Sequence, residues 1–119
     1  MPENVKHNLD DHLIEITSSG AVSELEIKQS FKKIRDIVAR YHERKILVDH
    51  TQATSLPSDV NAFNLGTTMA YSFKDLKIAI VILEHLENQL RLLERVVVAR
   101  GGNIKLFNKY SFAIDWLDI

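Results

Sequence analysis

The last third of the chain, Lys77–Ile119, constrains the fold more than any other segment. A short apolar run, Lys77–Leu83, is followed by a long amphipathic segment, a second short run at Asn103–Phe107, and a final amphipathic segment. Short apolar runs separated by segments with helical spacing are typical of strands that alternate with helices. The segment therefore predicts a β-α-β-α arrangement. It indicates a fold and names no reaction.

The N-terminal part of the chain predicts a hairpin followed by a well-marked helix. Two short strands, Val5–Leu9 and His12–Thr17, are expected around the turn-forming pair Asp10-Asp11, and Ser18-Ser19-Gly20 is expected to end the second strand. Ser23 and Glu26 have the spacing of a capping box. The apolar face of this first helix is expected to be Ile27, Phe31, Ile34 and Val38.

The middle of the chain predicts a strand at Lys45–Asp49 and a second helix at roughly Asp59–Ser72. Ser58 is the expected N-cap of this helix, because a serine side chain can accept a hydrogen bond from a free backbone N–H of the first turn. Gly66 either allows close packing of the helix on the sheet or marks a weak point in it.

The third helix is expected to end at Gly101, a natural residue after a helix C-terminus. Asn108 is expected to cap the last helix. We expect Phe31 and Trp116 to share one apolar cluster with the strand residues 78–82. The predicted helix residues on the apolar faces are Leu86, Leu90, Leu93 and Val97 in the third helix, and Phe112, Ala113, Trp116 and Leu117 in the last.

The complete order is β-β-α-β-α-β-α-β-α in a single domain spanning residues 1–119. Strands that alternate with helices favour right-handed crossovers and a parallel sheet, and the opening hairpin adds one antiparallel strand. We therefore predict an α/β fold with a mixed, mostly parallel sheet of about five strands and four helices.

Charge and composition make several classes of function less probable. A net charge of −1 at pH 7 argues against a nucleic-acid partner, and the absence of cysteine excludes thiolate nucleophiles and thiolate metal ligands. The longest apolar run, Ile78–Leu83, is too short to span a bilayer, and no signal peptide is visible at the N-terminus. We expect a cytoplasmic protein with no integral membrane segment.

Four segments resemble the SpoIIAA-like family of bacterial proteins, which is related to the STAS domain. These are Gly20 with the capped helix after it, KILVD at 45–49, LKIAIVIL at 76–83, and GGNIKLFNKYSFAIDWL at 101–117. The resemblance implies the STAS-like fold and a non-catalytic interaction or regulatory role. Regulatory STAS domains carry an Asp-Ser-(Ser/Thr)-Gly loop, whereas residues 50–60 here read HTQATSLPSDV. The phosphorylated-serine switch therefore does not carry over, and we expect Ser58 to be an unphosphorylated cap.

Polar residues follow two of the predicted parallel strands. Asp49, His50 and Thr51 follow one strand, and Glu84 and His85 follow another; Ser55 and Ser58 complete the candidate ligand- or partner-binding set. Ligands of open α/β sheets bind outside the carboxyl ends of the strands, and two imidazoles with two carboxylates there suit a divalent metal or acid–base chemistry. The simpler interpretation, which we favour, is polar loop residues that satisfy turns and helix ends, with no metal and no catalytic residue.

Three functions follow, in order of preference. The first is a non-catalytic module that binds an unidentified protein partner, with a homodimer left open. The second is a carrier or sensor of a small apolar ligand or lipid, as the broader similarity to SEC14-like domains implies; its pocket would be lined by Phe63, Met69, Tyr71 and Phe73, for which core packing is the simpler interpretation. The third is a metal-dependent enzyme. No cofactor is predicted.

Overall fold

The computed structural model describes residues 3–57 and 59–119, with no description of the side chains of residues 59–62. Five strands and four helices occur in this part of the chain, together with a short 3₁₀ turn at Glu84–Leu86. In chain order the elements are β1 Glu3–Asn8, β2 Leu13–Ala21, α1 Glu24–Tyr41, β3 Lys45–Ser55, α2 Asp59–Ser72, β4 Lys77–Val81, α3 Glu87–Ala99, β5 Asn103–Phe107 and α4 Tyr110–Leu117. The predicted α/β order is confirmed.

The five strands lie in the sheet in the same order as in the sequence. β1 is antiparallel to β2, and β2 to β5 are mutually parallel. Each crossover therefore moves one strand further in the same direction. Right-handed crossovers that all advance in one direction place their helices on a single face. As a result α1, α2 and α3 cover one face of the sheet, and α4 covers part of the other.

The larger core lies under the three crossover helices. Four isoleucines, one from each parallel strand, lie side by side across the sheet: Ile14, Ile46, Ile78 and Ile104. All four are buried, and they pack with residues of α1, α2 and α3 in one cluster. Strand β4 is buried on both faces, as its continuous apolar run predicts, because Ala79 and Val81 belong to the cluster under α4.

The prediction that Phe31 and Trp116 share one cluster is wrong. Phe31 packs in the larger core, with its ring 5.3 Å from that of Phe73. Trp116 is partly buried on the opposite face, where its ring lies 5.6 Å from that of Phe107. Helical spacing shows that a side chain faces a core, but it does not show which side of the sheet the helix covers.

The last helix differs from its prediction in two further respects. Phe112 is 51% exposed, whereas Ala113 and Leu117 are buried as expected. The N-cap residue is Lys109 and not Asn108, and it makes no side-chain capping bond. A helix of only eight residues covers the sheet with a narrow face, so Phe112 is left in solvent.

Two local sequence signals at helix ends are confirmed. Ser23 and Glu26 form both hydrogen bonds of the capping box at the start of α1. At the end of α3, Gly101 has a φ of +90°, and Gly102 N–H donates to the Val97 carbonyl at 2.9 Å. This left-handed glycine ends the helix as predicted. The predicted cap at Ser58 lies outside the described residues.

Of the two alternatives for Gly66, close packing applies, but its nearest neighbours are residues of α3 and not of the sheet. A Cβ atom at this position would lie 2.9 Å from Val96 Cγ1 and 3.3 Å from Leu93 Cδ1, both on α3. The missing side chain therefore lets α2 approach α3.

Among the described residues, no helix combines the length and apolar character needed to cross a bilayer.

Candidate functional site

Two strands run further than the sequence predicts, and this changes the candidate site. β2 continues to Ala21 and β3 to Ser55, because the two strands keep pairing beyond the end of β4. Thr17 pairs with Asp49 and Ser19 with Gln52, so that β3 has one residue more than β2 in this interval. Such a β-bulge is common beside functional sites. The residues predicted as a loop after β3 therefore belong to the strand.

A cavity of about 80 Å³ lies between the sheet and the three helices α1, α2 and α3. Apolar atoms form nearly all of its wall. The apolar residues that line it include Ile16, Val48 and Ile80 from the sheet, Phe31 from α1, Met69 from α2 and Leu90 from α3. Of the four residues predicted to line a pocket, Met69 does so, whereas Phe73 is in the core and Phe63 and Tyr71 are exposed.

His50 is part of the wall of this cavity and is only 7% exposed. Burial lowers its pKa to about 4, against the opposing effect of the nearby Asp49 carboxylate. The imidazole is therefore neutral at pH 7. Its Nδ1 atom is buried and has no hydrogen-bond partner within the described part of the chain. The expectation that His50 is a polar loop residue that satisfies a turn or a helix end is wrong, because His50 is a buried residue of β3.

A second polar group in the wall is the Glu3 carboxylate, which is 8% exposed. Ser18 Oγ donates a hydrogen bond of 2.5 Å to one carboxylate oxygen, and Ser30 Oγ donates one of 2.7 Å to the other. These residues come from β1, β2 and α1. Two hydroxyl donors thus take the place of the water molecules that would otherwise solvate the carboxylate. A buried polar group needs such partners, because burial without them is costly.

The strand separates Asp49 from His50. Asp49 projects to the face covered by α4. The pKa of Tyr110 on this face is raised mainly by burial of its hydroxyl group, and the Asp49 carboxylate is one of the nearby negative charges that raise it further. Asp49 Oδ1 accepts hydrogen bonds from the Thr51 backbone N–H at 2.9 Å and from its hydroxyl at 2.6 Å. The Asp49 side chain therefore stabilises the bulge locally and does not reach the cavity.

The other predicted site residues are dispersed. His85 is exposed, with Nε2 at 3.2 Å from the Ala53 carbonyl oxygen. Glu84 lines an open groove at the surface together with Arg91, and Ser55 is exposed at the end of β3. Ser58 lies outside the described residues. In the ranges 3–57 and 59–119, no three His, Asp or Glu side chains lie close enough together to hold a metal ion. The donor set that the metal-enzyme interpretation needs is not assembled.

Glu3, Ser18 and Ser30 are not among the predicted site residues, although the two serines carry a signal in the sequence. Ser30 lies between Ile27 and Ile34 on the apolar face of α1, and Ser18 continues the buried alternation of Ile14 and Ile16. A polar residue at a core position requires a hydrogen-bond partner. The sequence shows the positions but not that the three side chains meet.

No family model matches the sequence, and no curated protein matches it. Solved structures do match over almost the whole chain. A protein of the DUF3478 family with a SpoIIAA-like fold, from Shewanella loihica, has 21% identity and a TM-score of 0.60, covering 97% of this chain and 91% of its own. An anti-sigma factor antagonist from Mycobacterium paratuberculosis has 15% identity and a TM-score of 0.66, covering 98% and 93%.

A third match is the anti-sigma factor antagonist SpoIIAA in its unphosphorylated form, with 12% identity and a TM-score of 0.63. The alignment covers 98% of this chain and 97% of that one. At sequence identities this low, structural similarity shows the fold but does not show the activity. With its five-stranded mixed sheet and four helices, the chain has the SpoIIAA-like, STAS-type fold.

Proposed function

We propose that this protein is a non-catalytic regulatory module that binds another protein through the exposed face of α2. The observation that carries the proposal is a pair of aromatic side chains on this face. Phe63 is 46% exposed and Tyr71 is 74% exposed. They are eight residues apart with Thr67 between them, so that all three lie on one side of the helix.

The opposite side of α2 is occupied by the core, because Leu65, Met69 and Ala70 are buried. The aromatic face is therefore not needed to hold the helix in place. Arg100 adds a cation to it, with the guanidinium carbon 5.7 Å from the centre of the Phe63 ring. Aromatic residues and arginine are enriched among the residues that dominate protein–protein binding energy.

Two further observations support the proposal. Two solved structures of the same fold are named as anti-sigma factor antagonists, that is, as proteins that act on a protein. In addition, the candidate catalytic side chains Asp49, His50 and Glu84 do not converge. A cytoplasmic location is part of the proposal, and a fluorescent fusion in the native host would test it.

Site-specific photocrosslinking tests this function. A photoreactive phenylalanine analogue at position 71 is expected to give an adduct of one defined mass in the native host. The same analogue at Leu25, which is 66% exposed on α1, is the matched control and should give none. No adduct at position 71, or identical adducts at both positions, would contradict the proposal. An adduct of twice the chain mass would identify the partner as a second copy.

Once the crosslinked partner is identified, its affinity for the purified protein provides a quantitative test. Phe63→Ala and Tyr71→Ala should each weaken binding by at least about 10-fold, the loss typical of a dominant interface residue. Leu25→Ala should leave the affinity unchanged. Equal affinities for all three variants would show that the aromatic face is not the binding surface.

A further inference from the structure

The cavity between the sheet and helices α1, α2 and α3 combines two features that rarely occur together. Its wall is almost entirely apolar, yet it includes a histidine that is more than nine-tenths buried and whose Nδ1 atom has no partner in the described part of the chain. Buried polar side-chain atoms nearly always have a hydrogen-bond partner, and an exception requires an explanation. A molecule in the cavity that bonds to Nδ1 would supply one.

We propose that this cavity is a binding site for one compact, uncharged, mainly apolar molecule that carries a hydroxyl group, and that His50 Nδ1 bonds this hydroxyl. The site is independent of the aromatic face of α2, which lies on the outer side of that helix.

The size of the cavity limits the ligand. At about 80 Å³ it is smaller than an apolar cavity of about 150 Å³ that holds benzene, and far below the roughly 300–1,000 Å³ of pockets for drug-sized ligands. A molecule on the order of four or five heavy atoms fits, such as a short branched alcohol. A whole lipid does not fit, so the lipid version of the carrier hypothesis is not supported by this cavity.

The groups in the wall limit the chemistry. The Glu3 carboxylate belongs to the same wall, so that a ligand carboxylate would be repelled by it and would lose its hydration without compensation. The buried imidazole is neutral, so it offers no charge to pair with an anion either. A hydroxyl group both donates and accepts, and it can therefore bond Nδ1 in either tautomer of the ring.

A water molecule is the competing occupant. Buried waters typically make about three hydrogen bonds to polar groups. Apart from His50, the polar groups of this wall are largely engaged: Glu3 accepts from two serine hydroxyls, and Gln89 Nε2 donates to the Pro57 carbonyl at 3.0 Å. The mostly apolar wall of the cavity favours a ligand with an apolar body over water alone.

The test is an NMR titration of the intact protein with 2-methyl-1-propanol. We expect saturable shifts of the His50 imidazole and of the methyl groups of Ile16, Val48 and Met69, at millimolar concentration. His50→Leu should weaken binding of the alcohol at least 5-fold and leave binding of 2-methylbutane, its hydrocarbon analogue, unchanged or stronger. If both ligands bind His50→Leu as they bind the unaltered protein, His50 is not the bonding group.

A second pair of variants locates the site without removing the histidine. Val48→Ile adds a methyl group inside the cavity and should abolish saturation, whereas Val98→Ile makes the same change at an exposed position of α3 and should not. Dispersed amide spectra show that each variant is folded. Absence of saturable shifts in the unaltered protein would leave a hydrated cavity and overturn the proposal. Tighter binding of isobutyrate or isobutylammonium would overturn the uncharged class.

Discussion

Ser30 Oγ donates a hydrogen bond of 2.7 Å to the Glu3 carboxylate, and this bond joins α1 to the edge strand β1. Ser18 on β2 donates to the other carboxylate oxygen at 2.5 Å. The three residues are buried polar members of an otherwise apolar region. Removal of one member should lower the free energy of unfolding, because a buried carboxylate that loses a hydrogen-bond donor does not regain a water molecule in its place.

Ser30→Ala is accordingly expected to lower the free energy of unfolding by about 1–3 kcal/mol, the cost of a buried group left unpaired. Ser19→Ala is the matched control: Ser19 is the exposed neighbour of Ser18 on β2, and its change should stay within about 0.5 kcal/mol. Urea unfolding of both variants measures the difference. Equal values for the two would show that the Glu3 cluster does not stabilise the fold.

His50 predicts a specific pH dependence of stability. Its pKa is about 4 in the folded protein and about 6.5 in an unfolded chain, so the unfolded state binds the proton more tightly. The contribution is fully present above pH 6.5, decreases as the pH falls, and is lost by about pH 4. The total loss is about 3 kcal/mol. Unfolding free energies from pH 7.5 to pH 4.5 should fall more steeply for the unaltered protein than for His50→Gln. Parallel curves would contradict the buried, neutral histidine.

Phe31 and Trp116 should act independently, because the sheet lies between them. Phe31→Ala should cost about 3–5 kcal/mol, and Trp116→Ala should cost less because the indole is only partly buried. The double variant is expected to equal the sum of the two within about 0.5 kcal/mol. A coupling energy above about 1 kcal/mol would indicate the shared cluster that the sequence predicts and the structure does not contain.

Gly66→Ala tests the close contact between α2 and α3. Alanine is a better helix former by about 1 kcal/mol, but its Cβ would lie 2.9 Å from Val96 Cγ1. We expect a net loss of about 1–2 kcal/mol from overpacking. Val96→Ala in the same chain removes the shortest of these contacts and leaves Val96 Cβ at 3.0 Å, so the double variant should be more stable than the sum of the two single changes predicts. A stabilising Gly66→Ala would show that the contact is loose.

The sequence by itself determined the order and type of the five strands and four α-helices, because the signals are local. The capping box of Ser23 and Glu26, the apolar run of β4 and the left-handed Gly101 each act within a few residues of the chain. The resemblance to the SpoIIAA-like family followed from the same segments, and the solved structures support that fold. The end of β3 was misjudged because its last residues are held by β2 alone, through pairing that is distant in the sequence.

Only the tertiary structure decided which side chains meet. The sequential strand order places α1, α2 and α3 on one face, so Phe31 and Trp116 are separated. Because β3 continues to Ser55, the adjacent residues Asp49 and His50 both lie in the strand and point to opposite faces of the sheet. Glu3 meets Ser30 across 27 positions of the chain. Helical and strand periodicity record that a residue faces inward, but a hydrogen-bond partner or a cavity depends on contacts between elements. That His50 Nδ1 has no hydrogen-bond partner among the described residues is therefore a property of the folded chain, and the local sequence pattern does not show it.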